Sequence, residues 1–279
     1  MKLTVLMENN TLIGKYLRGE AAFSLLLEDQ GQRILFDTGY TNTFLENASC
    51  MGIDMLHLDW IVLSHGHSDH TWGLDGLIRQ YMDAVVFKRP YSRPRLLAHP
   101  GVFTPKVEPP RQEIGMLMDQ EKLDRQFPTT LSDTPFALTD NLHFLGEIPR
   151  IFDFEQGDAI GDRLEPDGPI PDYMPEDSGL ALVTDSGLVV ISGCAHSGIC
   201  AIVEHARKVT GVDCVRSVFG GFHLLDAPEE RLEKTADYFA SLNLETLYPC
   251  HCTDLAAKIA LARKNPVLEV GVGMQLTFA

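Results

Sequence analysis

Short apolar runs alternate with amphipathic segments along most of the chain, a pattern typical of a mixed α/β fold. The runs 22–27 and 33–36 flank the turn Asp29-Gln30-Gly31 and predict a hairpin. Residues 59–63 predict a buried strand, and residues 71–82 predict an amphipathic helix. The other predicted strands span 2–7, 179–184, 188–191, 215–219, 245–249 and 267–278, and the other predicted helices span 42–51, 197–208, 228–241 and 254–263.

The two halves of the chain repeat the same order of elements. With a shift of 156 positions, Asp29 to Gly31 falls on Asp185 to Gly187, and His67 falls on His223. Each half then contains a hairpin followed by a helix and a further strand. We therefore expect a layered α/β architecture of two pseudo-repeated halves, with sheets inside and helices outside.

A long insertion of unusual composition separates the halves. Residues 88–111 contain six prolines and six basic residues against one acid, and residues 150–177 contain nine acids, two bases and four prolines. Both segments predict long loops, which in compact domains are often functional. We expect a single domain over 1–279 with an inserted lid region at about 88–177; a solvated surface is the alternative for each charged run.

Size and composition are those of an ordinary globular protein. The chain has 279 residues, of which 44% are hydrophobic and 22% charged. No apolar run reaches the roughly 18 residues of a membrane helix, and the N-terminus lacks the features of a signal peptide. Six cysteines without a CxxC pair favour a reduced, cytoplasmic setting over a disulfide scaffold.

The net charge of −16 argues against nucleic acid and anionic membranes as partners. Against this background the basic run within 88–111 favours an anionic small-molecule substrate. Arg93, Arg95 and His99 are candidate substrate-binding residues, since arginine recognises phosphate through paired hydrogen bonds. Surface roles are the alternative for all three. The sequence leaves open whether the protein forms a homodimer.

The strongest chemical signal is His65-x-His67-x-Asp69-His70, directly after the predicted strand 59–63. Residues two apart face the same way on an extended chain, so His65 and His67 can reach one metal. Asp69 and His70 lie where the chain turns into the next helix and can serve a second metal. Imidazole and carboxylate ligands suit zinc, with Mn, Fe, Ni or Mg as alternatives.

Three further histidines follow predicted strands in the second half, where layered α/β proteins place their sites. We expect His196 and His251 to be metal ligands and His223 to bind metal or substrate. Strand alternation places Cys250 and Cys252 on the face opposite His251, as packing residues. A thiolate ligand is the alternative for these cysteines and for Cys194.

These motifs, with Phe36-Asp37-Thr38-Gly39 ahead of them, resemble those of the metallo-β-lactamase superfamily. The resemblance implies a four-layer αββα sandwich with one or two divalent metals. It assigns three ligands to the first metal, three to the second, and to Asp37 the role of orienting ligands. The implied ligands are His65, His67 and His196 for the first metal, and Asp69, His70 and His251 for the second.

Within the superfamily, Gly193-Cys194-Ala195-His196, Gly220-Gly221-Phe222-His223 and Cys250-His251-Cys252-Thr253 resemble the branch named for 7,8-dihydropterin-6-methyl-4-(β-D-ribofuranosyl)aminobenzene-5′-phosphate synthase. The chain departs from the hydrolytic members, in which an Asp bridges both metals, because His223 stands near that place.

The resemblance implies a metal-dependent enzyme acting on a phosphorylated small molecule. Hydrolysis by a metal-bound water is the first hypothesis, with Asp69 orienting the water or acting as general base. The alternative is a transferase that joins an aminobenzene ribose phosphate to a dihydropterin diphosphate. A non-catalytic metal-binding sensor is a second alternative.

Overall fold

A computed structural model describes all 279 residues, which divide into two compact units. The first unit contains residues 1–132, 161–172 and 271–277, and the second contains residues 133–160, 173–270 and 278–279. None of the helices combines the length and the apolar character that a bilayer span requires.

The strands are β1 (Lys2–Met7), β2 (Ser24–Asp29), β3 (Gln32–Phe36), β4 (Trp60–Val62), β5 (Arg95–Ala98), β6 (Lys106–Val107), β7 (Thr129–Leu131), β8 (Phe136–Ala137), β9 (Leu142–Phe144), β10 (Asp162–Glu165), β11 (Gly168–Pro171), β12 (Gly179–Thr184), β13 (Gly187–Ser192), β14 (Val215–Gly221), β15 (Thr246–Cys250) and β16 (Gln275–Thr277). The α-helices are α1 (Thr43–Cys50), α2 (Ser68–Thr71), α3 (Leu74–Val86), α4 (Gln120–Gln126), α5 (Ile199–Thr210), α6 (Glu229–Leu242) and α7 (Leu255–Ala262).

The first unit is built on a seven-stranded sheet in the order β16-β1-β2-β3-β4-β5-β7. Its strands β3, β4, β5 and β7 run parallel, so their carboxyl ends share one edge of the sheet. A row of neighbouring residues crosses the sheet and is buried beneath α1 and α3: Leu26, Leu35, Ile61 and Leu96. A small sheet, β11-β10-β6, completes the unit.

The second unit is built on a six-stranded sheet in the order β15-β14-β13-β12-β9-β8. Here β13, β14 and β15 run parallel. The corresponding buried row contains Ala181, Val190, Val218 and Leu247, in one hydrophobic cluster with residues of α5, α6 and α7. Each large sheet thus repeats a hairpin followed by a parallel strand, as the shifted alignment of the two halves predicts.

The sequence predicts long loops for the charged segments 88–111 and 150–177, but the structure shows that both segments contribute strands. The first segment, 88–111, contributes β5 to the large sheet, and the second, 150–177, contributes the hairpin of β10 and β11. The strand β5 was missed because its buried core, Leu96 to Ala98, is short and lies among prolines and arginines. Of the terminal strands predicted over 267–278, Gln275–Thr277 forms.

Candidate functional site

The first candidate cluster lies at the carboxyl edge of the large sheet in the first unit. Strand β4 ends at Val62 and leads into Ser64 and His65, while the parallel strand β3 leads into Asp37. The backbone N–H of Asp37 donates to the carbonyl of Val62 at 2.9 Å, which fixes the two strand ends side by side. This edge is where sheets of this kind present functional side chains.

Asp37 is fully buried and organises the cluster. Its Oδ1 accepts the backbone N–H of Ser64 at 2.7 Å. Its Oδ2 accepts the Ser64 hydroxyl at 2.7 Å and faces His70 Nδ1, also at 2.7 Å. Because a carboxylate only accepts, His70 must carry its proton on Nδ1 and leave the lone pair on Nε2.

The same logic fixes the tautomer of His65. The hydroxyl of Ser64 gives its proton to Asp37, so it accepts from His65 Nδ1 at 2.9 Å. His65 Nε2 therefore presents a lone pair. One buried carboxylate orients two imidazoles, which is how ligating histidines are usually held.

His65 and His67 fit a divalent metal. The Nε2 of His65 and the Nδ1 of His67 are 3.2 Å apart. Two imidazole ligands on one tetrahedral zinc are separated by about 3.3 Å, given Zn–N bonds of about 2.0–2.1 Å. Burial lowers the pKa of His67 to about 3, so its ring is the neutral form that metals bind.

Asp69 differs from its neighbours in exposure. Its side chain is 31% exposed, whereas that of His70 is fully buried, and Asp69 Oδ2 lies 3.7 Å from His70 Nε2. An accessible carboxylate beside a buried imidazole can bind a metal or exchange protons with a substrate.

The turn after the motif is sterically restricted. A Cβ on Gly73 would lie 1.9 Å from the carbonyl oxygen of Thr38, so no side chain fits there. Thr38 in turn donates from its backbone N–H and its hydroxyl to the carbonyl of His70, at 2.8 and 3.0 Å. The close approach at Gly73 thus lets the loop after β3 hold the backbone of His70.

We expect Asp37→Asn to lower metal affinity about 10- to 100-fold, the usual cost of removing a carboxylate that orients a ligand. The amide offers a single acceptor oxygen in place of two, so Ser64 and His70 lose their fixed orientation. Competition titration with a chromogenic chelator measures the change. Asp54→Asn, at an exposed carboxylate paired with His57, is the matched control; equal affinities of the two variants would contradict the role of Asp37.

The second candidate cluster lies at the carboxyl ends of β13, β14 and β15 in the second unit. His196, His223 and His251 follow these strands in turn. The rings of His196 and His223 have centroids 4.4 Å apart. His196 and His251 are buried, whereas His223 is half-buried.

Four of the nine non-glycine residues with a positive φ lie in the two candidate clusters. Ala195, His223 and His251 have φ values of 60°, 49° and 53°, and Asp37 in the first cluster has φ 58°. Residues other than glycine rarely adopt this left-handed conformation, and they cluster at functional sites when they do. The strained residues of the second cluster lie in or next to the segments that carry His196, His223 and His251.

His196 is held by residues that the sequence analysis missed. Arg150 donates to the carbonyl of His196 at 2.8 Å. Asp177 accepts the backbone N–H and the hydroxyl of Ser197 at 2.8 and 2.5 Å, and burial raises its pKa to about 6. Neither residue lies in a motif with metal-ligand spacing, so the sequence carries no signal for them.

The cysteines of the second cluster are not equivalent. Cys194 is 4% exposed, and its Sγ lies 3.2 Å from His251 Nε2. Cys252 accepts the backbone N–H of His223 at 3.2 Å and faces the carbonyl of Cys194 at 3.3 Å. Cys250 is fully buried. Strand alternation does not extend to Cys252, because the strand ends at Cys250 and His251 has a positive φ.

A close approach accommodates these side chains. A Cβ on Gly221 would lie 2.7 Å from Cys252 Sγ and 3.2 Å from His251 Cδ2. The second glycine of Gly220-Gly221 therefore leaves the room that Cys252 and His251 occupy.

Arg93 and Arg95, which the sequence predicts to bind substrate, both have partners within the first unit, and their role in substrate binding stays a prediction. Arg95 pairs with Trp60 at the amino end of β4, whereas His65 follows its carboxyl end. The guanidinium of Arg95 lies 4.6 Å from the Trp60 ring centroid and donates to Thr130.

Arg93 has a structural partner as well. Its guanidinium donates to the carbonyls of the last residues of α4, Asp124, Arg125 and Gln126. Basic side chains commonly satisfy the carbonyls at a helix C-terminus in this way. His99 differs from both arginines, because it follows the carboxyl end of β5, at the edge that carries His65.

We expect Arg93→Ala and Arg95→Ala to change kcat/KM by less than about twofold, because the carbonyls at the end of α4 and the Trp60 ring already occupy the two guanidinium groups. The measurement compares an anionic with a neutral ester substrate. A loss confined to the anionic substrate would support the role in charge recognition that the sequence predicts.

Comparisons with known proteins identify relatives of the chain. The chain is 34% identical to 7,8-dihydropterin-6-methyl-4-(β-D-ribofuranosyl)-aminobenzene-5′-phosphate synthase of Methanocaldococcus jannaschii, over 85% of this chain and 81% of the relative. It is 28% identical to an uncharacterized protein of the same organism, over 95% and 96% of the two chains.

A solved structure of a metal-dependent hydrolase of the β-lactamase superfamily superposes with a TM-score of 0.83 at 26% identity, covering 100% of this chain and 99% of the other. The fold is therefore the metallo-β-lactamase fold. Residues 17–251 match the sequence pattern of that superfamily. With the histidine motif, the buried aspartate and the fold in agreement, the chain belongs to the metallo-β-lactamase superfamily.

Proposed function

We propose that this chain is a metal-dependent enzyme that hydrolyses a phosphorylated small molecule. The observation that carries the proposal is the paired donor set at the end of β4. His65 and His67 present ring nitrogens 3.2 Å apart, and the buried Asp37 fixes the tautomer of His65 through Ser64. A merely structural histidine pair does not need this arrangement.

We assign the metal ligands as the family pattern implies, to both clusters. They are His65, His67, Asp69 and His70 of the first unit and His196 and His251 of the second, for one or two divalent metals, with zinc as the first candidate. A bound divalent metal would supply Lewis-acid polarisation of the phosphoryl or carbonyl centre under attack.

If one metal is bound and Asp69 does not coordinate it, Asp69 is the proposed proton acceptor. Its side chain is the accessible carboxylate of the motif, whereas Asp37 is buried and already accepts three hydrogen bonds. An exposed carboxylate can orient an attacking water, take its proton and later return it to the leaving group.

His223 is proposed to contact the substrate. It is half-buried, while the histidines assigned to the metal are buried, and its ring lies beside that of His196. We expect His223→Ala to raise KM about tenfold or more with an unchanged metal content. A drop in metal content, measured by elemental mass spectrometry, would instead make His223 a ligand.

A transferase is the second candidate, favoured by the relative at 34% identity. By its name, that protein makes a product that contains both a dihydropterin and an aminobenzene ribose phosphate. In such a reaction the arylamine would replace water as the nucleophile and expel diphosphate. The product of that relative also carries a phosphate, which supports a phosphorylated substrate in either case.

One assay separates the two candidates. The zinc-loaded protein is incubated with a dihydropterin-methyl diphosphate, with and without the aminobenzene ribose phosphate, and diphosphate release is measured. Release in both cases supports the hydrolase, and release that requires the arylamine supports the transferase. A parallel panel of phosphate mono- and diesters widens the hydrolase test. A metal-loaded protein inactive on all of these would contradict the enzyme proposal for this substrate class and favour the sensor.

A further inference from the structure

Cys194 lies within the second cluster. Its side chain is 4% exposed, and its Sγ lies 3.2 Å from Nε2 of His251. Two positions further along the chain stands His196. We propose that Cys194 is a thiolate ligand of the metal that His251 binds; this inference rests on the metal site assigned in the proposed function.

The spacing of the two donors fits a shared metal. In a tetrahedral site with Zn–S of about 2.3 Å and Zn–N of about 2.0–2.1 Å, a sulfur and a nitrogen are about 3.5 Å apart. The separation of Cys194 Sγ and His251 Nε2 is close to this value. Ligation forms an S–metal bond, and the thiol proton leaves to solvent.

The charge of the cluster also favours a thiolate. The strand-end segments 192–198, 220–224 and 250–253 contain no Asp or Glu. The neutral imidazoles of these segments contribute no negative charge to a divalent cation. A thiolate supplies one negative charge and, as a soft ligand, selects zinc over magnesium.

Cys252 is the matched comparison. It lies in the same cluster, yet its sulfur accepts the backbone N–H of His223 and faces the backbone carbonyl of Cys194. Through these contacts the sulfur of Cys252 links the segments that follow β13 and β14. The geometry therefore assigns ligation to Cys194 and a structural role to Cys252.

The first test needs no variant. X-ray absorption at the zinc edge of the zinc-loaded wild-type protein is expected to show one sulfur neighbour at about 2.3 Å among nitrogen and oxygen neighbours. A zinc shell of nitrogen and oxygen alone would overturn the inference while leaving the proposed function intact. A protein that binds no zinc would overturn both.

The second test identifies the sulfur. In the cobalt-loaded protein, Cys194→Ser is expected to lose the near-ultraviolet sulfur-to-cobalt band, whereas Cys252→Ser and Cys250→Ser keep it. Circular dichroism checks that each variant is folded. A band that survives in Cys194→Ser, or that disappears in Cys252→Ser alone, would overturn the assignment.

Discussion

Removal of the metal with a chelator is expected to lower kcat/KM for the phosphorylated substrate by about a thousandfold or more. Lewis-acid stabilisation of the transition state contributes several kcal/mol, and each 1.36 kcal/mol is a factor of ten in rate. The measurement is the initial rate before and after dialysis against the chelator. Re-addition of zinc is expected to restore the rate.

His65→Ala is expected to reproduce the effect of the chelator, because it removes one of the two nitrogens that lie 3.2 Å apart. His57→Ala is the matched control, since His57 is an exposed histidine that pairs with Asp54. Full activity in chelated protein that contains no residual metal would contradict the metal-dependent mechanism.

Lys106→Met is expected to destabilise the fold by about 3–5 kcal/mol, the usual cost of leaving one member of a buried ion pair uncompensated. Lys106 Nζ and Asp172 Oδ2 are 2.9 Å apart, and both side chains are fully buried. The pair joins β6 to the end of the β10–β11 hairpin in the first unit. Urea unfolding measures the loss.

Two controls make this result specific. Lys122→Met breaks an exposed pair with Asp119, also a Lys–Asp contact at 2.8 Å, and is expected to cost about 0–1 kcal/mol. The double variant Lys106→Met/Asp172→Leu is expected to recover most of the stability, because no buried charge is left. Equal losses of unfolding free energy in Lys106→Met and Lys122→Met would contradict the explanation by an uncompensated buried charge.

The same pair acts electrostatically on His67 in the first candidate cluster. Beyond burial, Lys106 lowers the pKa of His67, whereas Asp172 raises it. The effects of Lys106 and Asp172 on the pKa of His67 therefore oppose each other. Replacing both residues is expected to change this pKa less than replacing Lys106 alone.

Residues with strong local patterns were predictable from the sequence. The motif from His65 to His70 follows a buried strand, and the structure places it at the carboxyl end of β4, as the pattern predicts. The hairpins around Asp29 and Asp185 also form. In each case the periodicity and the turn chemistry act within a few residues, so the sequence is sufficient.

Contacts that are distant in the sequence were not predictable. Asp177 reaches Ser197 and Arg150 reaches His196 only because the fold brings them together. The contact of the Arg95 guanidinium with the Trp60 ring likewise depends on the pairing of β4 with β5. The sulfur of Cys194 faces His251 because of the backbone path after β13, which residue alternation does not describe.

Metal content, measured by elemental mass spectrometry, shows whether both histidine clusters bind metal. The samples are the wild type, His65→Ala/His67→Ala in the first unit, His196→Ala/His251→Ala in the second, and His57→Ala as control. We expect one or two metals per chain in the wild type and the control, and a lower content in both double variants. A wild type that binds no metal after zinc dialysis, or a folded double variant with the full wild-type content, would contradict this expectation.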